Sequence, residues 1–166
     1  MSDLDAVRRL AAALSTAPPA LIEQTDTFFA VPQARVKVRQ FADGTGELIT
    51  YTRPDRSGPK TSTYALVRCQ DAKALVEILS RLMPVRGRVV KRRQLLLIGR
   101  TRVHLDDVED LGTFVELEVV LRDDEAAESG MTEAHDLMHR LGIARDSLVA
   151  EAYIDLLERR ARMRPV

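Results

Sequence analysis

Residues 88–122 read RVVKRRQLLLIGRTRVHLDDVEDLGTFVELEVVLR, and this stretch predicts three strands, at about 88–98, 101–107 and 113–122. The breaks between them are short and contain Gly99 and Gly112, so they suit hairpin turns. Hairpin-sized connections make neighbouring strands antiparallel, because a parallel pair needs a crossover of a dozen or more residues. Successive side chains in a strand point to opposite faces. Glu116 and Glu118 therefore share one face, with Val115, Leu117, Val119 and Leu121 on the other. Lys91 and Arg93 share a face in the first of the three strands, and His104 and Asp106 do so in the second.

The same alternation recurs upstream. Arg35, Lys37 and Arg39 share a face opposite Val36 and Val38, and Glu47 faces with Arg53. Further strands are expected at 24–31, 34–41, 47–53 and about 61–68. Leu4, Val7, Leu10, Ala11 and Leu14 recur at helical spacing and predict a helix over 4–14, ended by Pro18 and Pro19. Leu75, Ile78, Leu79 and Leu82 predict a second over 71–82, and two more are expected at 131–141 and 147–161. About seven strands and four helices follow. The fold class is α+β: a curved antiparallel sheet or β-barrel with helices packed outside.

The chain has 166 residues, 25 Lys+Arg and 25 Asp+Glu, which suits one domain over 1–166. Zero net charge argues against a general nucleic-acid binder. It hides a segregation: seven bases and no acid lie between Arg86 and Arg102, then ten acids and one base, Arg122, between His104 and Glu128. No apolar run approaches the ~18 residues of a membrane span, and no secretory leader is evident. A cytoplasmic protein is the expectation. The single cysteine, Cys69, excludes an internal disulfide and reads as a buried structural thiol. His135 and His139 stand four apart on a helix but lack the glutamate of a metalloprotease helix, so they read as solvated. No Gly-x-x-x-x-Gly-Lys loop occurs. The arginines at 159, 160, 162 and 164 read as a solvated helix end.

The charged strand faces have two readings. One is a sheet wetted on its charged side, the usual antiparallel pattern. The other is a sheet curled around a cavity, where rows of like charge are costly to bury unless they meet an opposite charge. Cationic strands beside carboxylate strands would then suit a polyphosphate with a divalent metal.

Several stretches carry a likeness: Gln24-Thr25-Asp26-Thr27-Phe28-Phe29, Arg35-Val36-Lys37-Val38-Arg39, Tyr51-Thr52-Arg53 and Gly58-Pro59-Lys60. Lys91-Arg92-Arg93, His104-Leu105-Asp106 and Phe114-Val115-Glu116-Leu117-Glu118 complete it. From about residue 24 to Tyr153 the sequence resembles the CYTH family, which groups class IV adenylyl cyclases, thiamine triphosphatases and inorganic tripolyphosphatases. The resemblance implies a tunnel-like antiparallel barrel with charges in its bore. It implies phosphate binding by Lys37, Arg39, Arg53, Lys60, Lys91 and Arg93, and Mg²⁺ or Mn²⁺ binding by Asp106, Glu116 and Glu118. Glu47 matches a further inward acid less firmly. Tyr153 matches a residue that closes one mouth, and His104 reads equally as a site neighbour or a structural hydrogen-bonding group. The implied protein is a metal-dependent enzyme acting on ATP, thiamine triphosphate or tripolyphosphate, nearer the class IV cyclases. Its rival is a non-catalytic domain that binds nucleotide or polyphosphate.

One departure stands out. CYTH proteins open with a Glu-x-Glu-x-Lys strand, and none occurs before residue 24. The expectation is a start set too late, with true loss of the strand as the alternative. Either leaves a gap in the barrel, two fewer carboxylates, and strand edges that a homodimer would cover.

Overall fold

The structure, a computed structural model, describes residues 4–32, 34–52 and 62–163. The order is α1 (Leu4–Leu14), β1 (Ala20–Phe29), β2 (Arg35–Phe41), β3 (Gly46–Thr52), β4 (Thr63–Cys69), α2 (Ala72–Leu82), β5 (Val85–Ile98), β6 (Thr101–Val108), β7 (Gly112–Val119), α3 (Ala127–Arg140) and α4 (Tyr153–Met163). A 3₁₀ turn at Arg145–Ser147 links the last two helices. All strands pair antiparallel in one sheet, ordered β4-β3-β2-β1-β5-β6-β7. The α+β antiparallel architecture is the one the sequence predicts. Among the described residues no ladder joins β4 to β7, so the barrel is open there.

Turn chemistry explains the tight hairpins. Gly99 takes φ +59° between the paired Ile98 and Thr101, and Asp110 and Gly112 take φ 64° and 93° between β6 and β7. These left-handed values are cheap for glycine and tolerated by aspartate. At Gly46 the constraint is space: a Cβ there would strike the Arg39 carbonyl and come within 2.6 Å of the Ala72 Cβ. That contact seats the start of α2 directly on the β2–β3 hairpin.

The sheet has an apolar outer face and a mixed inner face. Outside, Val7 and Ala11 of α1 and Leu137 of α3 bury Leu96, Val103 and Leu105. Ala72 and Val76 of α2 cover Phe29 and Val38. Each such side chain contributes about 1.5–3 kcal/mol when fully buried. On the inner face Phe28, Val89 and Val108 pack with Ile154 of α4. Thus α1, α2 and α3 lie outside as expected, while α4 lies across one end of the inner face.

Element bounds differ from expectation in two informative places. β1 begins four residues early because Ala20–Glu23 pair with Arg92–Leu95 of the long β5. A long partner strand overrides weak local propensity. α4 begins at Tyr153 rather than 147, where the Asp155 carboxylate accepts from the Ala152 N–H at 3.0 Å. Its apolar spacing gives no sign of that first turn.

Candidate functional site

β1, β2, β5, β6 and β7 each place charged residues on the inner face, while Glu23, Arg88, Arg92 and Asp107 take the alternate positions on the other face. On β1, Gln24, Asp26 and Phe28 point inward. Antiparallel register sets Asp26 opposite Arg39 and Phe28 opposite Lys37 of β2. Asp26 is only 2% exposed. It accepts from Lys37 Nζ at 2.6 Å, Arg39 Nε at 2.9 Å and Arg39 Nη2 at 3.2 Å. With its amide oxygen turned to Arg39, Gln24 accepts from the same guanidinium, Nε lying at 2.7 Å. The Lys37 ammonium stands 5.3 Å from the Phe28 ring centre and 5.8 Å from that of Tyr51, distances at which an aromatic face attracts a cation.

A second cluster repeats this plan across β5 and β6. Arg93 lies opposite Asp106. Its Nε and Nη2 donate to the two carboxylate oxygens, each at 2.7 Å. Lys91 Nζ approaches Asp106 at 3.3 Å, and the Tyr153 hydroxyl donates to it at 3.1 Å. Tyr153 also sets its ring 5.0 Å from Lys91 Nζ. In both clusters a buried aspartate faces a Lys-x-Arg pair on the adjacent strand, with an aromatic ring against the lysine.

β7 forms the rim. Glu116, its side chain 47% exposed, accepts from Arg93 at 2.8 Å and lies 3.2 Å from His104 Nδ1. Glu118 accepts from Arg102 at 3.3 Å and lies 3.8 Å from His104 Nε2. Buried His104 thus stands between two carboxylates on the charged face.

Burial and charge oppose each other throughout. Burial raises the Asp26 carboxyl, but Lys37 and Arg39 overcome it and hold the group far below the usual carboxylate range. Burial pushes the Lys37 ammonium down to about 8, with Asp26 the main force holding it up. Lys91 is lowered by burial and by Arg93 beside it. Asp106 is lowered: burial raises it, and the Arg93 hydrogen bond and Lys91 prevail. Tyr153 is raised by burial and by the charges of Glu116 and Asp106, so its hydroxyl stays a donor.

Lys37, Arg39, Lys91, Arg93, Asp106, Glu116 and Glu118 therefore share one face, and the cations among them are enclosed. Glu47 lies beside Arg39 at 3.9 Å. Arg53 and Lys60 lie outside the described residues. Of the carboxylates expected to hold metal, Asp106 and Glu116 share Arg93, Glu116 and Glu118 flank His104, and Asp106 has both oxygens engaged by Arg93, Lys91 and Tyr153. Among the described residues no group of three or more His, Cys, Asp or Glu side chains is placed to hold a metal ion. Glu116 and Glu118 offer the hard oxygen donors that Mg²⁺ and Mn²⁺ take; Asp106, so engaged, does not.

Sequence reasoning gave no role to Asp26 or Gln24. The signal was present, since their period-two spacing with Phe28 puts all three on one strand face. Of the remaining candidates, His135 and His139 are exposed on α3, and Cys69 is half-buried at the end of β4. Among the described residues no helix is long and apolar enough to cross a membrane.

Compared with known protein families, the chain matches the CYTH domain over residues 2–153. The chain belongs to the CYTH domain family. Over 169 residues it is 27% identical to adenylate cyclase CyaB of Aeromonas hydrophila, across 95% of this chain and 85% of that protein. Among solved structures it is similar to the PH1012 protein of Pyrococcus horikoshii, at TM-score 0.83 and 25% identity over 93% of each chain. A conserved hypothetical protein of Pyrococcus furiosus shares the fold at TM-score 0.77, with 20% identity over 93% of this chain and 94% of that one.

Proposed function

We propose that this CYTH domain binds a triphosphate on its inner face and acts on it, as an adenylyl cyclase-like enzyme or a triphosphate hydrolase. One observation carries the reading: Lys37, Arg39, Lys91 and Arg93, from two strands flanking β1, converge on an enclosed face. Arginine donates in a planar fork that suits phosphate oxygens as well as carboxylates, and lysine supplies a compact point charge. Arg93 already holds the fork geometry against Asp106. Cations fixed in place before the ligand arrives stabilise charge developing on phosphate oxygens at little cost in reorganisation.

Support for chemistry beyond binding comes from the similarity to the Aeromonas cyclase. In this reading Glu116 and Glu118 would hold Mg²⁺ or Mn²⁺, the phosphate oxygens and water completing its coordination. The metal supplies Lewis-acid stabilisation of the reacting phosphoryl group. Asp106 organises Lys91, Arg93 and Tyr153.

A second reading, a non-catalytic polyphosphate or nucleotide binder, is favoured by the engagement of both Asp106 oxygens by Arg93, Lys91 and Tyr153. One experiment separates the two. The protein is incubated with ATP or tripolyphosphate and Mg²⁺ or Mn²⁺, and phosphate and cyclic AMP are measured. Turnover that Glu116→Ala abolishes supports the enzyme. Tight binding without turnover under either metal supports the binder, and no binding of either compound overturns both.

A further inference from the structure

We propose that Asp26 is a positioning residue for triphosphate capture, a buried anion beneath the site that fixes Lys37 and Arg39 where they meet phosphate. The inference rests on the triphosphate reading and adds to it a residue that touches no substrate. Asp26 lies deeper than the cations it holds: its side chain is 2% exposed, against 12% for Lys37 and 17% for Arg39. Both of its oxygens are engaged, by Lys37 at 2.6 Å and by Arg39 at 2.9 and 3.2 Å. It therefore holds Lys37 by its Nζ and Arg39 by Nε and Nη2, and leaves Arg39 Nη1 outside its grip.

Without this anion the arrangement does not hold. Lys37 and Arg39 are two residues apart on one strand face, roughly 7 Å along the strand, and repel each other. Lys37 is also walled by the Phe28 and Tyr51 rings, which leave it little water. Among the described residues, the charged and titratable groups facing it are Asp26 from β1, Arg39 from its own strand, Tyr51 from β3 and Lys91 from β5. Arg35 and its partner Asp155 of α4 lie farther along the same face. Of these only Asp26 is an anion in contact with Lys37.

The sign of the effect separates positioning from plain electrostatics. An acid that merely adds negative charge weakens polyanion binding, so its removal tightens binding at every pH. A positioning acid does the reverse. Lys37 already loses its proton at about 8 with Asp26 present; without Asp26 that loss moves lower and Arg39 loses its anchor.

Calorimetric titration of the full chain with inorganic tripolyphosphate, free of metal, tests this, each variant being compared with wild type at the same pH. Asp26→Asn is expected to bind about tenfold more weakly at about pH 7.5, the loss shrinking to roughly threefold or less near pH 6. In a Lys37→Met background, adding Asp26→Asn is expected to cost no more than about threefold, the share carried by Arg39, with no dependence on pH. That double variant also removes both charges of the pair, so it reports even if Asp26→Asn alone does not fold. Equal or tighter binding by folded Asp26→Asn, a deficit independent of pH, or a further tenfold loss in the Lys37→Met background overturns the proposal. Wild-type protein that binds no tripolyphosphate overturns the triphosphate reading and this inference with it.

Discussion

Arg93 engages both oxygens of Asp106 through Nε and Nη2 and reaches Glu116 through the same Nη2. A lysine in its place keeps the charge and loses the fork. Arg93→Lys is therefore expected to weaken tripolyphosphate binding by about tenfold and to be the more damaging of two charge-conserving changes, Lys91→Arg being the other. Isothermal titration of the two variants checks the order. At this scale the sequence was legible wherever alternation and charge coincided. Counting alone pairs Lys37 with Arg39 on one strand face and Lys91 with Arg93 on another; their common face follows only from the register of β1 between them. Asp26 was not read as part of the site because spacing sets its face, with Gln24 and Phe28, but does not name its partners on the next strand. Its role appears only when register sets it against Arg39. The standing of Asp106 changed for the same reason: spacing places it among acids, but geometry gives it to Arg93, Lys91 and Tyr153.

α4 shows the same division at the scale of an element. Periodicity revealed a C-terminal helix but neither where it starts nor which face of the sheet it meets. Its seat depends on long-range partners. Arg35 and Arg86 bind Asp155 at 3.0 and 2.6 Å, Arg86 binds Glu158 at 2.7 Å, and Ile154 would meet any Cβ added to Gly87 at 2.8 Å. Ile154→Ala is expected to cost about 2–5 kcal/mol, read as a lower midpoint in urea unfolding. Tyr153→Phe removes only the hydrogen bond to Asp106. It is expected to cost about 1 kcal/mol while leaving the ring against Phe114 and Lys91. A destabilisation as large as that of Ile154→Ala would show that the hydroxyl, not the apolar contact, seats the helix. The outer helices α1 and α2 were legible from sequence as amphipathic helices, but the face was read only in part. Leu10, Ile78 and Leu82 of the expected stripes are exposed, and Ala72 and Val76 are the residues that α2 buries against the sheet.

For the whole molecule, the buried ion pairs make stability depend on pH in a definite direction. Asp26 and Asp106 titrate below their ordinary range when folded. The unfolded chain therefore takes up their protons first as pH falls below about 4, and folding loses free energy there. Chemical unfolding between about pH 3 and 7 is expected to show stability level near neutrality and falling steeply at the acid end. In the alkaline range the lowered Lys37 acts oppositely: from about 8 upward the folded state has given up a proton that the unfolded chain still holds. Stability gains from this group as pH rises, while anion binding weakens. The gap in the barrel was expected from the lack of a Glu-x-Glu-x-Lys strand before residue 24; that β4 and β7 are the edges left open among the described residues depends on strand order, which alternation does not encode. The repeated aspartate beneath each Lys-x-Arg pair has a further consequence. Each grip carries its own counterweight beneath it, so exchanging one acid for its amide would act first on the two cations that acid holds.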